Sequence, residues 1–204
     1  MISLADKRKL SKALQTLHGE DWEDGLKPTY DDRGLAAIAI RCFGQIDRIR
    51  EIASYPIYWL EIEVSDSNDT SSVEAAIELL VRGTSANLEF LQVDRVFDAT
   101  RPEKDAGRQV LPNKGDVFRG LPAVDRVVFS RINFSDEHLV ALASNPTLSH
   151  IDIRECDITT KIAGPLSKLN KLEFVLLSDC PGFPSSEQEW LRAKLPKPRV
   201  VRVD

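Results

Sequence analysis

Along the second half of the chain, apolar residues fall at positions 1, 4, 6, 9 and 11 of a recurring segment, clearest in Leu148, Ile151, Ile153, Cys156 and Ile158. The same spacing occupies Val124, Val127, Phe129, Ile132 and Phe134, and returns at Leu172, Val175, Leu177 and Cys180. The three starts lie 24 residues apart. Alternation around positions 4 and 6 predicts a strand with one buried face. With the register fixed, earlier copies emerge at Leu88, Leu91, Val93 and Val96, at Ile57, Leu60 and Ile62, and at Leu35, Ile38, Ile40 and Phe43. Val201 and Val203 add a short closing strand. The upstream starts are unevenly spaced, which predicts insertions after the second and third strands.

Between strands the period changes to that of a helix, as in Ile46, Ile49 and Ile52 and again in Val73, Ile77 and Leu80. The second of these takes Ser71 or Ser72 as N-cap and Gly83 just past its end. Leu139 and Leu142 follow the cap signal Ser135-Asp136-Glu137, and Leu191 and Leu195 close the series. Strand then helix, repeated, predicts an α/β architecture with a parallel sheet and all crossovers on one side. Residues 3–18, with Leu4, Leu10, Leu14 and Leu17, read as an amphipathic helix that covers the first strand. The expected organisation is an N-terminal helical cap over 1–34 and a repeat domain over 35–204. An inserted polar, Gly- and Pro-containing loop at 98–120 leads to a brief helix near Val117 and Phe118.

On these residues, 35–204 resemble the leucine-rich repeat superfamily, whose repeats run roughly 20–29 residues. The copies bearing Cys156 and Cys180 look like its ribonuclease-inhibitor and cysteine-containing subtypes, and the tail from Leu195 to Val203 is similar to the endings of short bacterial repeat proteins. The resemblance implies a solenoid: a right-handed arc with strands on a concave face and helices on a convex one, used by most members to hold another protein.

If positions 4 and 6 face the core, positions 3, 5 and 7 face the other way. That maps a surface of candidate partner-binding residues. Trp59, Phe90, Arg126, His150 and Phe174 share position 3; Glu61, Gln92 and Asp152 share position 5; Glu63, Asp94 and Arg154 share position 7. Neighbours in a row lie about 4.8 Å apart, so Trp59 and Phe90 form an aromatic shelf bordered by the carboxylates of Glu61, Glu63 and Asp94. Aromatic anchors beside a charged rim are the makings of a binding hot spot. In a second arrangement the 98–120 loop or an N-terminal segment covers the shelf, and the usable surface shifts to Arg126, His150, Asp152 and Arg154.

Charge narrows the partner. The 204 residues carry a formal net charge of −5, so there is no general attraction to a phosphate backbone, and nucleic acid is not expected as a ligand. No apolar run is long enough for a membrane span, and the cluster Asp6-Lys7-Arg8-Lys9 stands where a signal peptide would be apolar. A cytoplasmic protein without membrane association is expected. Three cysteines, Cys42, Cys156 and Cys180, an odd count without a CxxC spacing, argue against a disulfide framework and a zinc site, and Cys156 and Cys180, both at position 9, read as buried thiols.

Signals for chemistry are faint. Glu61 and Glu63 would stand about 6.5–7 Å apart, a separation found in inverting glycosidases, but no cleft is indicated. Asn113-Lys114-Gly115-Asp116 matches a guanine-reading element without any phosphate loop and reads as a turn. Asp66 to Asp69 lacks the Gly and terminal Glu of a calcium loop. His18, His138 and His150 are scattered, and Ser130, His150 and Asp152 lack a nucleophile elbow. The expectation is a non-enzymatic protein-interaction module without metal or cofactor, or alternatively a regulatory subunit that blocks an enzyme's active site. Neither the partner protein nor the oligomeric state is set by the sequence.

Overall fold

The computed structural model describes residues 2–19, 26–41, 43–65, 69–96, 111, 115–195 and 200–203. The elements run α1 (Leu4–His18), β1 (Thr29–Tyr30), β2 (Ala36–Ile40), α2 (Ile46–Ala53), β3 (Ile57–Ser65), α3 (Thr70–Thr84), β4 (Phe90–Val96), β5 (Arg126–Ser130), α4 (Asp136–Leu142), β6 (His150–Arg154), α5 (Ala163–Leu166), β7 (Phe174–Ser178), α6 (Gln188–Lys194) and β8 (Val200–Val203). Single 3-10 turns stand at Gly115–Phe118, Thr160–Ile162 and Ser185–Glu187. The fold is α/β. Its eight strands form one open sheet in chain order, antiparallel between β1 and β2 and parallel from β2 to β8.

One continuous core lies between the sheet and the helices, joining Leu10 and Leu14 of α1 at one end to Leu191 of α6 at the other. Helices pack in the order of the chain: α1 on α2, α2 on α3, α3 on the 115–118 turn, that turn on α4, α4 on α5 and α5 on α6. Inside this core Phe118 meets Phe129 edge-on at 5.3 Å while Phe129 stacks on Phe134 at 4.0 Å. The far end of the 98–120 segment is thus anchored by its brief helix; residues 98–110 and 112–114 of the segment, and Cys42, fall outside the described residues.

The 24-residue period has a backbone cause. Arg131, Glu155 and Asp179, each at position 8, all take positive φ values of 51–58°. This turn ends strand alternation and brings the next residue inward. Cys156 and Cys180 occupy that inward position and are buried, each thiol lying near two carbonyls: one of its own strand, Arg154 O at 3.1 Å and Ser178 O at 3.5 Å, and one of the preceding strand, Phe129 O and Ile153 O, both at 3.8 Å. Burial pushes the Cys156 thiol up to about 12 and raises Cys180 as well.

Where the turn is absent, the expected pattern fails. β4 runs on through position 8, so alternation continues, Arg95 is buried and Val96 is exposed, the reverse of the sequence reading. At β2 Ala36 rather than Leu35 is buried, where a register shift pairs Ala36 with Ile57 and Ala37 with Trp59 and leaves Tyr58 as the extra residue. Leu4, expected on the apolar side of the first helix, is 66% exposed.

Two helix ends also differ. Asp69, not Ser71 or Ser72, caps α3: its carboxylate accepts the Ser72 N–H at 2.9 Å and both serine hydroxyls. Those bonds hold the carboxyl below its usual range, led by the Ser71 hydroxyl. Gly83 lies inside the last turn of α3, where the helix crosses Ala53 of α2, instead of beyond it. Ser135 precedes α4 as expected, but the capping box is closed by His138, whose Nδ1 accepts the Ser135 N–H at 3.2 Å.

Candidate functional site

The parallel ladder places every candidate residue in the row its spacing predicts. Trp59, Phe90, Arg126, His150 and Phe174 are successive Cα partners, as are Glu61, Gln92, Val128, Asp152 and Leu176, and Glu63, Asp94, Ser130, Arg154 and Ser178. The alternating neighbours Leu60, Ile62, Leu91, Val93, Ile151 and Ile153 are buried under the helices. These rows therefore line the opposite face, which the helices leave open and where Arg126 and Arg154 are exposed and Trp59, His150 and Phe174 are half-buried; most of the 98–120 loop that would cover the shelf in the second arrangement lies outside the described residues.

Two aromatic stacks stand on this face with Arg126 between them. Trp59 and Phe90 are 3.7 Å apart at an interplanar angle of 17°, which leaves Phe90 only 8% exposed. Farther along, His150 and Phe174 stack at 5.8 Å and 21°. Stacking of this kind restrains the rings of each pair against one another.

Most charges on the face are paired internally. Arg41 Nε meets Glu63 Oε2 at 2.7 Å, the cross-strand pair its position implies. Arg154 grips Asp152 with two bonds of 2.9 and 2.7 Å, from Nε and Nη2, and the Asp152 hydrogen bond raises the pKa of the guanidinium. Arg131, a residue the alternation did not single out, reaches back to Asp94 at 3.1 Å. Glu61 differs, since its carboxylate accepts from the Trp59 indole N–H at 2.7 Å.

Sequence reasoning also missed Asp125 and Ser149. Ser149 Oγ hydrogen-bonds the Asp125 carboxylate and lies 2.6 Å from His150 Nδ1, linking the entrances of the neighbouring strands β5 and β6. The available signal was their shared position 2, 24 residues apart. This arrangement is not a nucleophile triad: a serine sits between the carboxylate and the imidazole, and Asp152 is held by Arg154 instead. Glu61 and Glu63, bound respectively by Trp59 and Arg41, do not face one another across a gap as a pair of acid and base would.

On the helix-bearing side, an open pocket of about 390 Å³ lies beside the 115–118 turn, with Asp116, Arg119, Asp136, Val140 and Lys161 in its lining. Asp116 already pairs with Arg119 at 3.5 Å, and Asp136 accepts the Thr159 N–H at 2.8 Å. Asn113 and Lys114 of the guanine-like element are outside the described residues. Among the described residues, no group of three or more His, Cys, Asp or Glu side chains could hold a metal, and no helix is long and apolar enough to cross a membrane. No protein-family model matches the chain, and no curated protein matches it.

Proposed function

We propose that the chain is a leucine-rich repeat solenoid, capped at its start by α1, that binds another protein through the open, concave face of its sheet and performs no chemistry of its own. Strand order, helix order and the left-handed turns recurring every 24 residues all support a coil-by-coil array. A cytoplasmic setting fits its free, buried thiols.

The observation that carries the reading is the position-3 row. Two pre-stacked aromatic pairs flank exposed Arg126 on a face the helices leave uncovered. Aromatics and arginine are the residues most enriched at hot spots. Affinity capture from the native host tests it: Arg126→Glu combined with Phe174→Ala should lose the captured protein, whereas Val140→Glu on the helix side should retain it. Equal capture by both variants would remove the face from consideration. If the captured protein is an enzyme whose activity falls on binding, the module is an inhibitory subunit.

A further inference from the structure

Row 3 continues past Trp59 to Ala37, and row 5 past Glu61 to Ala39. Both alanines are partly exposed. Beyond them β1 sets Thr29 opposite Ala37 on the same face. Because the Trp59 ring lies nearly parallel to that of Phe90, its second face looks along the row toward its other strand neighbour, Ala37, which among the described residues sets only a methyl group beside it. Among the described residues this leaves a notch one strand wide, floored by Ala37 and Ala39 and walled by the second face of the half-buried indole. At its side stands Glu61. Among the described residues this carboxylate is bonded by the Trp59 N–H and by no cation, while its neighbour Glu63 is neutralised by Arg41.

We infer that this notch receives an arginine side chain of the partner protein, stacked flat on Trp59 with its N–H groups donating to Glu61. The inference rests on the binding-face reading above and names the chemistry the partner must bring. A flat guanidinium fits a gap set by strand spacing of about 4.8 Å, and its fork of donors matches a carboxylate beside an aromatic face. The chain's net charge of −5 favours a cationic partner. Close by, the protein uses the same chemistry internally: Arg33 lies 5.8 Å from the Tyr58 ring and pairs with Asp31 and Glu89.

The test uses the full, 15N-labelled chain and follows the Trp59 indole N–H resonance, assigned with Trp59→Phe. The probe is a blocked pentapeptide with one arginine among glycines and serines, compared with its lysine and citrulline counterparts. The arginine peptide should shift the resonance saturably, and its affinity should fall about tenfold or more with citrulline or in Glu61→Gln. Ala37→Leu, which fills the notch on the solvent side, should abolish the shift while the rest of the amide spectrum confirms the fold. An absent shift, an equal response to lysine or citrulline, or a shift that survives Ala37→Leu would overturn the proposal. Partner capture reads the face through Arg126 and Phe174, so a failed titration beside successful capture removes the notch and leaves the module reading standing.

Discussion

The indole N–H of Trp59 donates to the carboxylate of Glu61 two residues along the same strand, at 2.7 Å. The bond fixes the ring that stacks on Phe90 and keeps the carboxylate at the ring's edge. An amide oxygen accepts the same hydrogen bond, so Glu61→Gln should keep stability within about 0.5 kcal/mol of the parent in chemical denaturation. A larger loss would mean that the negative charge itself supports the fold.

Strand alternation makes the sharpest contrast at Asp152 and Ile153. Ile153 is fully buried between sheet and helices, and Ile153→Ala should cost about 2–5 kcal/mol. Asp152, on the open face, is held by half-exposed Arg154, and its replacement by alanine should cost at most about 1 kcal/mol. Urea midpoints of the two variants measure the difference, and equal shifts would contradict the register.

A Cβ built on Gly83 would meet Ala53 O at 2.6 Å and Ala53 Cβ at 2.7 Å. Helix propensity alone makes alanine better than glycine by about 1 kcal/mol. Here the contact with α2 decides the sign: Gly83→Ala should destabilise by about 1–3 kcal/mol, because the two helices must part to admit the methyl. Thermal denaturation that shows stabilisation would mean the crossing is looser than the backbone geometry requires.

Burial raises both thiols, and the sign of the pH effect follows. A group that holds its proton more tightly when folded contributes stability below its unfolded value, and that contribution fades as the pH climbs toward the folded one. For Cys156 the window runs from 9.0 to about 12. Stability should decline across that range, less steeply in Cys156→Ala, and at pH 8 Cys156 and Cys180 of the native protein should react with a thiol reagent only as fast as the structure around them opens. Rapid native labelling of Cys156 and Cys180 would contradict their burial.

The legible and illegible parts of this molecule divide at the turn after each strand. From Val124 to Ser178 each strand ends in a left-handed residue, Arg131, Glu155 or Asp179, so one spacing locates core and open face together. In β3 and β4 the strand runs on, and a pattern carried over from the regular coils misplaces Arg95 and Val96. The open-face rows followed from alternation alone, including the Trp59 and Phe90 stack. Hidden were contacts set by the turns themselves. Arg131 reaches Asp94 from a turn, and Asn145, buried between α4 and β6, accepts the Leu121 N–H and donates to Phe118 O and Leu142 O. No periodicity marks such residues, because each reaches into the preceding strand–helix unit, Arg131 to Asp94 and Asn145 to Leu121 and Phe118.

The central claim, that the open face grips a protein, is tested most directly by site-specific photo-crosslinking. A benzophenone amino acid placed at Phe174, on the open face, or at Val140, on the helix side and 48% exposed, is irradiated in an extract of the native host. The account predicts a discrete crosslinked protein from position 174 and none from 140. Crosslinking from 140 alone, or equally from both, would contradict it.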